Sequence, residues 1–570
     1  MPKGHQDDAP PESDVGRYWT LATHVLLVAV AVIMLVTVPD YGITWGEFEH
    51  ARYGRQILSW YTSGFADRSA LDDSVVGYLG GAFDLPATVA ADYLPLDGYY
   101  TRHLMGVLVT LVGLLYTARL GVLLAGSQGG FFALLFLILT PRFYGHAFNN
   151  PTDGPLAAVT AVALFYLVRF VRGMPRPSWK DASLFGIAAG FALGLSIVSL
   201  ALFLYLAVGL AVWLTVWLVK QRRTGQTGHR LFGDFFAHVP RLAFSGTIAA
   251  VIMFASWPAA QASPIGHVLR AIRESGTASG DFPVLYGGEW LMAETLPSTV
   301  LLRWLSLTLP ESYAVALLSL GLVLITIGPR RLVAGAPPWR VIGFVVLALA
   351  VITPLGMQIM KGASVYAGLR HFLFMIPPLA VLAGASLVAL WHPGVPAWVR
   401  PPVLVLVGVA LAVTAADSWR IHPYQSIYFN RAVAGGLAGA VGRYETEFSG
   451  TSYREGAEWI QSHYQLADTV LTVASCGDPL STSHFIRAPG FRYLGSLDEG
   501  IDSIPQVFVA TNHGGCADRL QGTVVHQVSR LGVPILLVKE VPPGASLAPR
   551  SQGRSGDSPS LTSPGDTSRR

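Results

Sequence analysis

Apolar runs of membrane-crossing length recur along this chain, and they decide its fold class before any motif does. Eleven stretches of roughly 17–21 residues fall near 20–38, 104–124, 130–148, 154–171, 182–199, 201–219, 242–260, 312–328, 340–359, 372–391 and 401–417. Each is long enough, as a helix, to cross a hydrocarbon core of about 30 Å. The third run meets Pro141 and is expected to end early, and the fifth and sixth form a tight hairpin through Ser196 to Leu200. Charge agrees with this pattern. Only 13% of the 570 residues are charged, where soluble domains carry about 25%. The net charge of +4 is spread out, with no basic, aromatic-studded patch to suggest a nucleic-acid partner. The first run follows an acidic, Pro-rich leader and lacks a small-residue cleavage site, so it reads as a retained span.

Lys and Arg set the expected orientation. Arg172, Arg176 and Lys180 follow the fourth span. Lys220, Arg222, Arg223, Arg230 and Arg241 follow the sixth, and Arg330, Arg331 and Arg340 follow the eighth. By the positive-inside rule those loops are cytoplasmic. The expected organisation is a cytoplasmic leader at 1–19 and a transmembrane core at 20–417 with large outer loops at 39–103 and 259–311. An extracytoplasmic α/β domain at 418–545 and a disordered tail at 546–570 complete it. The domain is read from an amphipathic stretch, TSYREGAEWIQSHY, followed by the β-rich runs DTVLTVASC, QVFVAT and VPILLVKEV. Both cysteines, Cys476 and Cys516, fall in it. An oxidising compartment permits a disulfide between them, and two buried thiols is the alternative reading. Most of the non-apolar chain lies outside in this scheme, which favours a site at the outer surface of a cell membrane. No span shows the paired interruptions of a broken-helix transporter.

Within the first outer loop, PDYGITWGEFEHARYGRQILSWY crowds Glu47, Glu49, His50, Arg52 and Arg55 among aromatic residues. From Trp45 onward it reads as a helix with Glu47, Ala51 and Arg55 on one face. It is either an interfacial brace or a place where a carboxylate meets a lipid headgroup. Asp40, Asp84 and Asp153 are further candidate carboxylates, and Asp153, between Pro151 and Pro155, reads equally as a helix N-cap. Arg52, Arg55, Arg102, His103, Arg142, His146, Arg303, Lys361, Arg370 and His371 are candidate cations near the outer boundary. For Arg370 and His371, snorkelling to the interface competes with phosphate binding. No metal-ligand, P-loop or nucleophile-elbow motif is present, and a divalent cation is left open. Transfer of a sugar from a lipid phosphate is compatible with such a set. The leaving phosphate needs cations, and the acceptor hydroxyl needs one carboxylate to take its proton.

Four stretches carry a resemblance: GITWGEFEHARYG (42–54), TPRFYGHAFNNPTDGPLA (140–157), GLRHFLFMIPPLAVLAG (368–384) and HPYQSIYFNRAVAGGLAGAVGRYE (422–445). With them the chain resembles bacterial GT-C superfamily glycosyltransferases of the protein O-mannosyltransferase and aminoarabinose-transferase group, over roughly 20–460. The resemblance implies a mainly α, polytopic GT-C fold and a polyprenyl-phosphate-linked sugar as partner. It also implies inverting transfer on the outer face to an acceptor the sequence does not identify. On the matching positions it implies Glu47 or Asp153 as base, with Arg370, His371 and Arg142 at the donor phosphate and Asn150 nearby. Outside them Lys361, at the outer end of the loop between the ninth and tenth spans, is a further candidate for the phosphate, and Arg55 and Asp84 are other candidate residues. One departure stands out. The family carries an Asp-Glu pair at the first outer loop, with the Asp as base; here the pair is Gly46-Glu47, with Phe48 where a Pro is common. The family's Asp-Tyr-Trp-Gly run is replaced by Glu447, Phe448, Ser449 and Gly450. A catalytically silent scaffold that binds a lipid-linked sugar or a partner protein is therefore the second reading.

Overall fold

The computed structural model describes residues 14–73, 76–224, 236–274, 283–361, 368–466 and 469–548. The chain is a mainly helical, multi-pass membrane protein with a sheet near its C-terminus. In order, the first helices are α1 (Asp14–Thr37), α2 (Glu47–Thr62), α3 (Asp84–Tyr93), α4 (Gly98–Ile138), α5 (Pro141–Asn149), α6 (Asp153–Arg172), α7 (Trp179–Leu193) and α8 (Ala201–Thr224). Further apolar helices span Val239–Ser256, Glu311–Ile327, Pro338–Lys361, Ile376–Ala389 and Arg400–Arg420.

Every expected apolar run is helical, but not every one is a full span. Among the described residues eight helices are long and apolar enough to cross a membrane, or nine if Val300–Thr308 and Glu311–Ile327, bent by 105°, form one broken span. The expectation was eleven. Two differences have plain causes. The second and third runs are continuous in α4, where Gly126 (φ 76°, ψ −178°) breaks the helical path. The two arms fold back on each other, since a Cβ on Gly121 would lie 2.7 Å from the Gly129 carbonyl oxygen. Only a residue without a Cβ takes that turn cheaply. The returning arm stops at Ile138, three residues short of Pro141, as the proline predicts. The fifth run yields only the 15 residues of α7, about 22 Å of helix, before the chain turns at Gly194.

Two apolar cores result. One gathers Leu164, Phe170, Phe185, Ala189, Tyr205 and Val346; the other gathers Met34, Leu114, Leu137, Tyr313, Ala380 and Leu387. A third joins the membrane part to the sheet. It runs from Trp304 through Tyr424, Tyr428, Phe429 and Tyr444 to Val473, Val507 and Val509.

The expected α/β region is a five-stranded sheet. After a hairpin of β1 (Pro283–Tyr286) and β2 (Glu289–Met292), the strands are β3 (Leu471–Ser475), β4 (Phe491–Ser496), β5 (Val507–Ala510), β6 (Thr523–Arg530) and β7 (Val533–Glu540). Their order is β4-β3-β5-β7-β6, with β3 parallel to β4 and β5, and β7 antiparallel to β5 and β6. The three strands legible in the sequence are the central ones. The two edges, β4 and β6, have few buried positions and no apolar run to mark them. Cys476 and Cys516 are bridged, with Cα atoms 6.2 Å apart and 40 residues of separation. In the chain-entropy model a loop of that size contributes roughly 3–4 kcal/mol.

Candidate functional site

Thr44-Trp45-Gly46-Glu47 is a T-x-x-E turn that leads into α2, with Gly46 as N-cap and Glu47 as the first helical residue, whose side chain bends back onto the turn. Here Glu47 Oε1 accepts from the Thr44 amide at 2.7 Å and lies 3.0 Å from Thr44 Oγ1. That hydroxyl also lies 2.9 Å from the Asn149 carbonyl oxygen, so its single proton serves one acceptor at a time. Glu47 Oε2 meets His103 Nε2 at 2.7 Å, and the carboxylate is 1% exposed. It faces a small cavity of about 10 Å³, lined also by Arg102, His103, Asn149, Asn150, Phe83 and Phe148.

Asp84 opens α3 and serves as a holder. Its Oδ1 accepts from Arg102 Nη2 at 2.5 Å and its Oδ2 meets His50 Nδ1 at 2.8 Å, while His50 Nε2 lies 3.1 Å from Thr152 Oγ1. Both Asp84 oxygens are thus engaged by cations or potential cations. Arg102 keeps Nε and Nη1 buried and unpartnered among the described residues, on the wall of the Glu47 cavity.

The stretch at 149–153 links this carboxylate to the second one. Asn150 supplies the capping oxygen at the start of α6, accepting from the amides of Thr152 at 3.1 Å and Asp153 at 2.7 Å. The reading of Asp153 as N-cap is therefore corrected: it is the first residue of α6, Thr152 is the N-cap, and the Asn150 side chain takes the amides of both. Asp153 instead accepts from Asn150 Nδ2 at 3.0 Å and lies 3.6 Å from His371 Nδ1. Arg370 and His371 begin the turn Arg370–Met375 packed against α6, with Arg370 Nε 3.4 Å from His371 Nε2. Behind them, burial pushes the His146 imidazole down to about 3, and Arg370, Arg142 and His371 push the same way against Asp153. It is a neutral ring, with Nδ1 3.5 Å from Asn150 Nδ2 and Nε2 unpartnered among the described residues.

Arg142, in α5, is 1% exposed. Its Nε donates to the Tyr428 carbonyl at 3.0 Å, and its guanidinium lies 4.9 Å from the Phe429 ring centre, 5.6 Å from Trp304 and 5.9 Å from Phe448. Neither Nη1 nor Nη2 has a partner among the described residues. Nη1 is near enough to Gly368 that a Cβ there would lie 2.7 Å away. This sets the guanidinium beside the turn that carries Arg370. Burial lowers its pKa to about 9, so it is charged at neutral pH.

The structure thus brings together Glu47, Asn150, Asp153, His371 and Arg370, with Arg142 alongside and Asp84 behind. Two expected residues differ. Arg55 is exposed while Glu47 and Ala51, on the same expected face, are buried; two turns along α2 the helix has left the cavity, about 12 Å further on. The side chain of Lys361 lies outside the described residues. Sequence reasoning missed Thr44, Asn149 and Glu447. The T-x-x-E pattern could have flagged Thr44. Glu447 is fully buried, with Oε1 accepting from Ser449 N at 3.0 Å and Gly450 N at 2.6 Å. Burial raises its pKa against those donors, and nothing in the local sequence announces this. No group of three or more His, Cys, Asp or Glu among the described residues is arranged to hold a metal ion.

No family model and no curated protein matches the chain. Solved structures do. ArnT from Cupriavidus metallidurans, bound to undecaprenyl phosphate, is similar at 15% identity and a TM-score of 0.44, over 90% of this chain and 97% of that one. AglB, the oligosaccharyltransferase of Archaeoglobus fulgidus, in complex with an inhibitory peptide and a dolichol-phosphate, is similar at 11% identity and a TM-score of 0.45, over 88% and 70%. The mycobacterial arabinofuranosyltransferase AftD is similar at 13% identity and a TM-score of 0.40, over 92% and 41%.

Proposed function

We propose that the protein is a membrane glycosyltransferase of the GT-C type. It moves a sugar from a polyprenyl-phosphate donor to an acceptor hydroxyl, with inversion, on the outer face of the cell membrane. The N-terminus is cytoplasmic and the region after about 418 is outside, as the Lys/Arg bias of the loops suggests. The observation that carries the reading is Arg142. A buried guanidinium with both terminal nitrogens unpartnered among the described residues is costly unless an anion completes it. It stands beside the Arg370 turn, and Asn150 connects that turn's partner Asp153 to the cavity of Glu47.

In this reading Arg142 and Arg370 hold the phosphate, and Arg can do so through two nitrogens at once. Arg102 offers N–H groups that have no partner among the described residues to the same cavity as Glu47. Glu47 takes the proton of the acceptor hydroxyl as it attacks the anomeric carbon, and the phosphate leaves without needing a general acid. His103 holds the carboxylate in place. Incubating the purified protein in lipid with radiolabelled polyprenyl-phosphate sugars and membrane extract tests this. Transfer of label to an acceptor is expected; binding of the lipid without transfer would overturn it.

The catalytically silent scaffold is favoured by one observation: both Glu47 oxygens are already engaged, by Thr44 and His103. It predicts lipid binding without turnover. The acceptor, the sugar and any divalent cation are left to that experiment.

A further inference from the structure

Trp45 sits in the turn that presents Glu47, and the sheet region holds its ring from two sides. A Cβ on Gly477 (φ +73°) would lie 2.3 Å from the indole, and one on Gly450 (φ +80°) would lie 2.1 Å from it. Both backbones therefore press on the ring at positions where only glycine is at ease. His513 meets the indole edge-on at 4.7 Å. The Trp45 amide donates to the Ser449 carbonyl at 3.0 Å.

Two of these contacts, from Gly477 and His513, share an origin. Gly477 follows Cys476, and His513 lies in the turn His513–Asp518 that contains Cys516. The disulfide thus pins together the two segments that grip the ring. The same turn reaches the 445–451 loop, through His513 Nδ1 to Glu445 at 2.6 Å and Asn512 Nδ2 to Thr446 Oγ1 at 3.0 Å. That loop carries Glu447, and its Thr451 Oγ1 lies 3.5 Å from Asn149 Nδ2 on the cavity wall.

We propose that Trp45 is a positioning residue through which the disulfide-closed C-terminal region sets the placement of Glu47. The C-terminal region in this scheme is part of the active-site frame, acting through the T-x-x-E turn two residues from the carboxylate. The proposal rests on the transfer reading for its kinetic consequence and on geometry alone for its mechanical one.

The test therefore has two arms. In the first, Trp45→Phe and the pair Cys476→Ala with Cys516→Ala are compared in transfer assays. A displacement of about 1 Å at a reacting group costs on the order of 100-fold. Trp45→Phe is expected to lower kcat roughly 10- to 100-fold while KM for the lipid donor moves less than about threefold. The cysteine pair shifts kcat in the same direction, and the triple variant loses less than the product of the two effects. In the second arm, hydrogen exchange of residues 42–50 is followed in the same variants. Both are expected to quicken it by at least about tenfold, whether or not the protein turns over. Changes confined to 476–516 in the cysteine pair, or unchanged exchange at 42–50 in Trp45→Phe, would overturn the proposal. A wild type that transfers no sugar sinks the transfer reading, and the exchange arm then decides the clamp by itself.

Discussion

Replacing Arg142 by Met should leave stability nearly unchanged and make the protein less able to bind its ligand. Burial lowers the guanidinium from the ordinary arginine range to about 9, a penalty on the charged form of about 5 kcal/mol at ~1.4 kcal/mol per pKa unit. The three aromatic rings offset about 1–2 kcal/mol each at a desolvated site, and the bond to the Tyr428 carbonyl about 1.5 kcal/mol, so the two sides nearly cancel. Methionine fills most of the volume with neither the penalty nor the contacts, so Arg142→Met is expected to move unfolding stability in detergent by no more than about 2 kcal/mol. Because the folded pKa lies below the unfolded one, the penalty is complete below about pH 9 and relieved only above it, so any difference should hold constant between pH 6 and 8. Binding moves the other way. Two charge-assisted bonds of about 1.5 kcal/mol each correspond to roughly 100-fold in affinity. Titration of undecaprenyl phosphate into wild type and variant measures this. A variant that loses stability yet binds the lipid as before would show the guanidinium to be a packing strut, and the phosphate assignment would fall.

Glu47→Gln keeps the bond from the Thr44 amide but removes the base; transfer should fall about 10²- to 10⁴-fold with lipid affinity nearly unchanged, and full activity would pass the role to Asp153. Arg370→Ala should weaken lipid binding, and Arg370→Lys should restore it only in part, because Lys offers one point charge; unaltered affinity in the Ala variant would return Arg370 to a structural role. A Cβ at Gly46 meets nothing within 4 Å, and its φ of −88° suits any residue, so Gly46→Asp should fold normally and raise transfer if the missing carboxylate limits it; no increase would show that Glu47 suffices or that the site is silent. Asp478 is raised to about 6 by burial, with Glu499, Glu49 and Glu47 adding to it. Its contribution is favourable at low pH and lost as pH rises through about 6, so Asp478→Asn should stabilise by about 1–2 kcal/mol at pH 7.5, after discounting for its partial exposure, and by nothing near pH 3.5; an equal gain at both pH values would exclude titration as the cause.

How much of this was legible in the sequence follows from the range of each interaction. Apolar length sets helices locally, so all eleven runs were helical, and Pro141 ended its helix as a local rule demands. Whether a run spans is a tertiary matter, and α4 and α7 show it: one turns back at Gly126, the other stops at 15 residues. Central strands announce themselves by apolar content, while β4 and β6 are defined by their partners. Glu47, Asp153, Arg142 and Arg370 were identifiable as candidates because ionisable groups are rare at membrane depth. What each touches was not. Asp84 belongs to a His50–Arg102 cluster spread over three elements, and only the fold shows that it is already neutralised.

The division of labour among the carboxylates follows from the same geometry. Asp84 and Asp417 each face a guanidinium at 2.5 Å; these are anions whose surroundings consume them. Asp153 and Glu47 are held more loosely, by a carboxamide and a histidine in one case and by a turn and a histidine in the other. A histidine partner is one that can release or take up a proton near neutral pH without leaving a buried charge. An arginine partner cannot. Glu47 has a histidine, His103, at 2.7 Å, whereas a neutral Asp84 would leave the Arg102 charge buried without its counter-ion. That difference ranks Glu47 and Asp153 above Asp84 as bases. It also means that His103→Phe should impair transfer even where Glu47 is intact, by leaving the carboxylate without its partner.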